Sequence, residues 1–138
     1  MISKFDLAKA LYEQAKLIAG SNSYLLIPNG EAFEPDPNAT YIQEFPLYGD
    51  DTPRGIEDDS PDMQIGIYQL SINTPKSNEG SNWQALAIAK VLQLGFGRGT
   101  ELIFNQQMVR MRSSSLTQLD DDDTHKIYAL SITFTVIN

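Results

Sequence analysis

Apolar residues recur at helical spacing near the start of the chain, at Phe5, Ala8, Leu11, Tyr12, Ala15 and Ile18, until Gly20 interrupts them. Ser3 with Asp6 three positions on matches an N-capping pattern, so this stretch predicts an amphipathic helix. Leu25 to Ile27 reads as a short strand stopped by the turn chemistry of Pro28-Asn29-Gly30. Tyr41 to Tyr48 reads as extended, with Pro46 restricting it to a sheet edge. In Gln64 to Asn73, Tyr68, Leu70 and Ile72 share one face and Ile65 and Ile67 the other, which predicts a strand buried on both sides. Trp83 to Leu94 is helical with only Gln84, Lys90 and Gln93 polar, so most of its circumference seeks cover. Ser81 or Asn82 is its expected cap, Trp83 an expected core residue, and Gly95, Gly97 and Gly99 its exit. Val109 and Met111 alternate with Arg110 and Arg112, giving a strand with one core face and one basic face. Tyr128, Leu130, Ile132, Phe134 and Val136 alternate with small and polar residues in the clearest strand of the chain.

The order of helix, strands, helix and strands favours an α+β fold, a mainly antiparallel sheet with two principal helices packed against it. At 138 residues, 41 % apolar and 20 % charged, the chain is expected to be one domain over 1–138 with a core of its own. No stretch approaches a membrane-spanning apolar run, and the first residues alternate charged and apolar, so a soluble protein made in the cytoplasm is expected. The absence of cysteine removes disulfides, thiolate nucleophiles and cysteine-based zinc sites.

The formal net charge of −8 disfavours phosphate-backbone binding as the main role. Acids cluster in two places. Asp50 to Asp62 reads as a solvated loop, and its Glu57, Asp58, Asp59 and Asp62 are the residues a DNA-mimic inhibitor would use. Asp120, Asp121, Asp122 and Asp123 lack the alternating ligands and glycine turn of a hard-cation loop and read as a solvated hairpin tip. In a ring of subunits these acids would give a central channel a wall to which DNA does not stick. His125, the single histidine, has only those acids for partners and reads as a surface residue at a strand end. The glycines of Gly95-Phe96-Gly97-Arg98-Gly99 follow a helix instead of opening one, so they read as a helix stop and not a phosphate loop. No catalytic, cofactor-binding or metal-ligating set emerges. Arg110 and Arg112 suit an acidic partner, and a second copy of this chain offers one.

The first helix with Phe5, Ala8 and Leu11, the run Ile27 to Pro35 with Pro28, Asn29 and Phe33, and Tyr41-Ile42 together resemble the tail terminator family of long-tailed bacteriophages, the gpU-like minor tail proteins. Gly66, Pro75 and Gly80 around the central strand, the second helix with its Phe96-Gly97 exit, and the closing strand extend the resemblance over nearly the whole chain; the acidic insert at Asp50 to Asp62 departs from it. The resemblance implies a hexameric ring on the tail tube that ends tail polymerisation and forms the tail side of the head-tail joint, without enzymatic activity or cofactor. It implies a place in the virion tail after assembly in the host cytoplasm. The implied partners are other copies of the chain, the tail tube protein, the head-tail connector protein and DNA passing through the lumen, with no membrane. Phe33, Pro35, Pro37, Ile65, Ile67, Arg110 and Arg112 are then the interface candidates, and Asp120 to Asp123 the lumen candidates. The Pro35 and Pro37 arm is pre-stiffened and loses less entropy on docking. The alternatives are another neck or tail-completion protein and the small acidic DNA mimic.

Overall fold

The structure is a computed structural model that describes residues 3–49, 52–53 and 62–137, with backbone alone at 52, 53, 62 and 137. Most of the acidic insert lies outside the described residues, as do the side chains proposed for DNA mimicry. Among the described residues, two helices and seven strands follow in the order α1 (Lys4–Ser21), β1 (Leu26–Ile27), β2 (Tyr41–Leu47), β3 (Thr52–Pro53), β4 (Asp62–Pro75), α2 (Ser81–Gly95), β5 (Glu101–Phe104), β6 (Gln107–Gln118) and β7 (His125–Ile137). The α+β expectation holds.

The strands form one sheet in the order β1-β2-β4-β7-β6-β5, with β3 beside β4. All pairs are antiparallel except β1 with β2. At the centre β4 and β7 pair from Met63↔Ile137 to Pro75↔His125. Strand alternation then sends Tyr68, Leu70, Ile72, Leu130, Ile132, Phe134 and Val136 to one face, where they are buried with Leu7, Leu11, Ile88, Leu92 and Phe96 of the helical layer. Gly66 is paired with Phe134, and a Cβ there would sit 2.6 Å from the Phe134 ring and 2.7 Å from the Leu47 carbonyl oxygen.

Both helices are where the periodicity puts them, with differences of detail. Ser3 caps α1, its side chain accepting from the Asp6 N–H at 3.2 Å. The buried stripe of α1 is Leu7, Ala10, Leu11, Ala15, Ile18 and Ala19, so the expected Phe5, Ala8 and Tyr12 lie beside it and Phe5 is exposed. Alanines in the stripe let the helix approach closely, and Gln14 Nε2 donates to the Gly95 carbonyl at 2.9 Å to join the two helices. The N-cap of α2 is Gly80, at φ 75°, and not Ser81 or Asn82. Asn82 Oδ1 instead accepts from the Tyr128 hydroxyl. Trp83 is not core: it is 75 % exposed at the first turn of α2.

Strand β5 was not expected from the periodicity, because it is short and lies at the edge, with Glu101 and Ile103 exposed. It reverses into β6 through Asn105 and Gln106, both at positive φ (48° and 68°), the backbone of a tight two-residue hairpin. Pro46 lies past the two residues of β2 that β1 covers, on the open edge as expected.

Replacing Gly66 with alanine is expected to lower stability by about 1–3 kcal/mol, because the added methyl must displace the Phe134 ring or the Leu47 backbone. The midpoint of urea unfolding checks this, and a midpoint equal to that of the parent would contradict the packing described.

Candidate functional interface

Helices cover one face of the sheet. The other face was expected to be buried as well, from the apolar residues on both sides of β4, but Ile65 is 53 % and Ile67 37 % exposed. Phe45 and Leu47 of β2 are exposed on the same face, Leu47 directly opposite Ile67. The expectation failed because the described residues form only two helices and both lie against the Tyr68 side.

Across the sheet, Ile65 pairs with Thr135, which pairs with Arg110. Adjacent strands lie about 4.8 Å apart, so an isoleucine and an arginine share one face roughly 10 Å from each other. A register shift between Met111 and Ser113 alters the alternation of β6. Arg112 also reaches this face, its Nε donating to Thr135 Oγ1 at 2.9 Å. Ile65, Ile67, Arg110 and Arg112, singled out separately along the sequence, are therefore one surface, apolar on β2 and β4 and basic on β6. Among the described residues neither arginine makes an ion pair.

Phe33, Pro35 and Pro37 belong to a second surface. Asn73, which pairs with Tyr41, is eight positions from Ile65 along β4, roughly 25 Å at the rise of a strand. There the arm between β1 and β2 passes the same sheet face. The Phe33 ring meets Tyr41 with centroids 5.0 Å apart, and Tyr41 meets His125 edge-on at 5.2 Å. Pro35 and Pro37 are exposed.

Two buried polar side chains hold the arm. At its root the Glu44 carboxyl, buried on the helix side of β2, accepts from the Asn29 N–H at 3.0 Å and from the Tyr68 hydroxyl. Burial first, and then the nearby Glu44, push the Tyr68 hydroxyl well above the usual phenol range. At the far end His125 Nε2 lies 2.8 Å from the Ala39 carbonyl oxygen, which can only accept, so Nε2 carries the hydrogen. Nδ1 is 2.7 Å from Thr124 Oγ1. His125 is thus not the surface residue expected but a wholly buried latch, with no solvent exposure. Sequence reasoning missed both holders; the available signals were an acid at a core-facing strand position, between Ile42 and Pro46, and a lone histidine preceded by threonine.

Asp120 to Asp123 form the exposed tip between β6 and β7, as expected. They are not equivalent. Asp122 Oδ1 accepts from the N–H groups of Thr124 at 2.8 Å and His125 at 2.6 Å. Those bonds, Thr124 first, hold its carboxyl below the usual aspartate range. Among the described residues no group of three or more histidine or acidic side chains is placed to hold a metal.

A one-sided α+β sheet with an apolar and basic open face and a clamped, presented arm has the build of an assembly subunit. A scan against protein families matches residues 6–135 to the family described as Phage tail terminator protein. The chain belongs to that family, and with it to the structural proteins of the phage virion tail. No curated protein matches it. Among solved structures, a chain whose name states no function is similar at 16 % identity and a TM-score of 0.78, covering 99 % of this chain and 96 % of its own. A chain in a structure described as the virion of a native gene transfer agent particle is similar at 16 % identity and a TM-score of 0.54, with 96 % of each chain covered. At such identities these two likenesses concern the fold.

Replacing His125 with alanine should cost about 2–4 kcal/mol, through the cavity and the unpaired Ala39 and Thr124 groups. It should also speed protease cleavage within residues 28–40; an unchanged cleavage rate would show that the latch does not restrain the arm. For Asp122 the depressed folded pKa means that its contribution to stability is present above the ordinary aspartate value of 3.8 and is lost as pH falls through the lower folded value. Asp122→Asn should therefore flatten the acid limb of a plot of urea midpoint against pH, and a limb as steep as the parent's would contradict this.

Proposed function

We propose that this chain assembles as a hexameric ring on the end of the tail tube, ends tail polymerisation and forms the tail side of the head-tail joint. The observation that carries the reading is the open sheet face of a tail terminator family member: Phe45, Leu47, Ile65 and Ile67 lie together beside Arg110 and Arg112. Contiguous exposed apolar surface marks an interaction site. The fold likeness to a chain of a gene transfer agent virion supports a place in a particle of this kind.

Ring closure needs heterologous contacts, in which different patches of one subunit meet and rotation closes the series. The separation of the two surfaces by most of the length of β4 suits that geometry. With the arm at one end and the apolar and basic patch at the other, each copy offers two distinct contacts. The partners are then other copies, the tail tube protein below and the connector protein above, with DNA passing through the lumen. The acids at Asp120, Asp121 and Asp123 line that lumen and repel the DNA backbone; Asp122 has the structural task already described. The function requires no nucleophile, metal or cofactor.

Ile65→Glu with Ile67→Glu should leave the thermal midpoint within a few degrees of the parent, since both side chains are exposed, and should abolish the oligomer in native mass spectrometry. Persistence of the oligomer in that variant would remove the open face from the ring contacts. Neutralising Asp120, Asp121 and Asp123 together as asparagines should leave assembly intact and slow DNA delivery; infectivity equal to the parent would place those acids outside the lumen.

A further inference from the structure

We propose that the open edge of β6 receives the arm of a second copy of this chain as an added β-strand. This rests on the ring reading and specifies one of its contacts. The edge is incomplete. β5 covers β6 only from Gln107 to Arg110, with Met111 exchanging hydrogen bonds with Gly99 and Thr100. From Ser113 to Gln118 alternate backbone groups face outward with no strand beside them among the described residues. Sheet edges are normally blunted by proline, lysine, a bulge or a cover. Past the irregularity at Met111/Ser113, this run, Ser-Ser-Ser-Leu-Thr-Gln, has neither proline nor charge and is exposed at all positions except Leu116.

The arm is incomplete in the complementary way. It is fixed at Asn29 by Glu44 and at Ala39 by His125, yet between them the N–H groups of Ala32, Phe33, Glu34 and Asp36 make no hydrogen bond among the described residues. The prolines fall where strand addition tolerates them. In a strand only alternate residues bond to a given neighbour. Phe33 and Pro35 share one parity, so the missing N–H group of Pro35 falls on the side away from the partner edge, while Pro37 stands in the turn that the Ala39 N–H closes onto the Asp36 carbonyl, beyond the paired run. Ala32, Glu34 and Asp36 then present their N–H groups to β6. Pro35 denies the far side to any further strand, which limits the addition to one arm per edge.

Charge supports a second copy as the source. Glu34 and Asp36 share one parity and fall on one side of the arm once it pairs as a strand, and Arg110 and Arg112 flank the start of the open edge without ion pairs among the described residues. Arm and edge are different surfaces, so the contact runs head to tail as ring closure requires. Main-chain bonds supply the affinity and the charged pairs the register.

The chain has no cysteine, so disulfide trapping reports one contact at a time. Full-length Glu34→Cys is mixed with full-length Ser115→Cys under mild oxidation, with Lys16→Cys plus Ser115→Cys as the control for random encounter. The expected result is a disulfide-linked heterodimer forming at least about tenfold faster than in the control. Arg110→Glu with Arg112→Glu should reduce the trapping by about tenfold, and Glu34→Lys with Asp36→Lys, scored by trapping from a cysteine placed at Ala32, should restore it. Oligomers that assemble normally while trapping stays at the control rate would overturn the arm contact and leave the ring reading standing. Trapping in open chains that never close at six would uphold the contact and overturn the ring. Monomers with trapping at the control rate at every concentration would overturn the arm contact.

Discussion

The pairing of β4 with β7 is the interaction on which the remaining structure depends. It fixes which residues of the two longest strands face the helices, and with them the whole interior from Tyr68 to Phe134. A slip of one residue would bring Ile65, Ile67 and Thr133 inward and expose the present core, so the register is strongly specified. Because α1 and α2 both lie on the Tyr68 side, the same pairing also commits Ile65 and Ile67 to a face that the described residues leave exposed. The core and the open face are two consequences of one register.

That commitment explains where polar groups are buried. A sheet open on one face has little apolar cover at its ends, and the arm from Pro28 to Thr40 partly supplies it beside Tyr41. Anchoring a proline-containing arm by side chains at both ends costs less conformational entropy than ordering a free loop. Glu44 and His125 are buried to do this, each with hydrogen-bond partners, which makes their burial tolerable.

The sequence was most informative where one face of an element meets the core. The alternation in β7 and in the centre of β4 needed no tertiary knowledge, and the capped start of α1 was legible from Ser3 and Asp6. The two-sided apolarity of β4 was read correctly as a pattern and wrongly as burial, because alternation reports what a face would gain from cover and not whether the chain provides it. Trp83 failed for the same reason: a large aromatic in an apolar helix stands where it can contact a partner as readily as where it fills a core. β5 carried too few residues for a period. The grouping of Ile65, Ile67, Arg110 and Arg112 depended on strand order, and the roles of Glu44 and His125 on contacts between residues far apart in sequence, neither of which a linear pattern contains.

The account centres on an open face and an arm that let copies of the chain close on the end of a tube and stop its growth. The most direct measurement is the length distribution of tail tubes, followed by electron microscopy, when purified tube protein polymerises with and without this chain. The account predicts that tubes stop lengthening once the chain is added and carry a six-membered ring at one end. Tubes that continue to lengthen at the same rate, with bare ends, would contradict it.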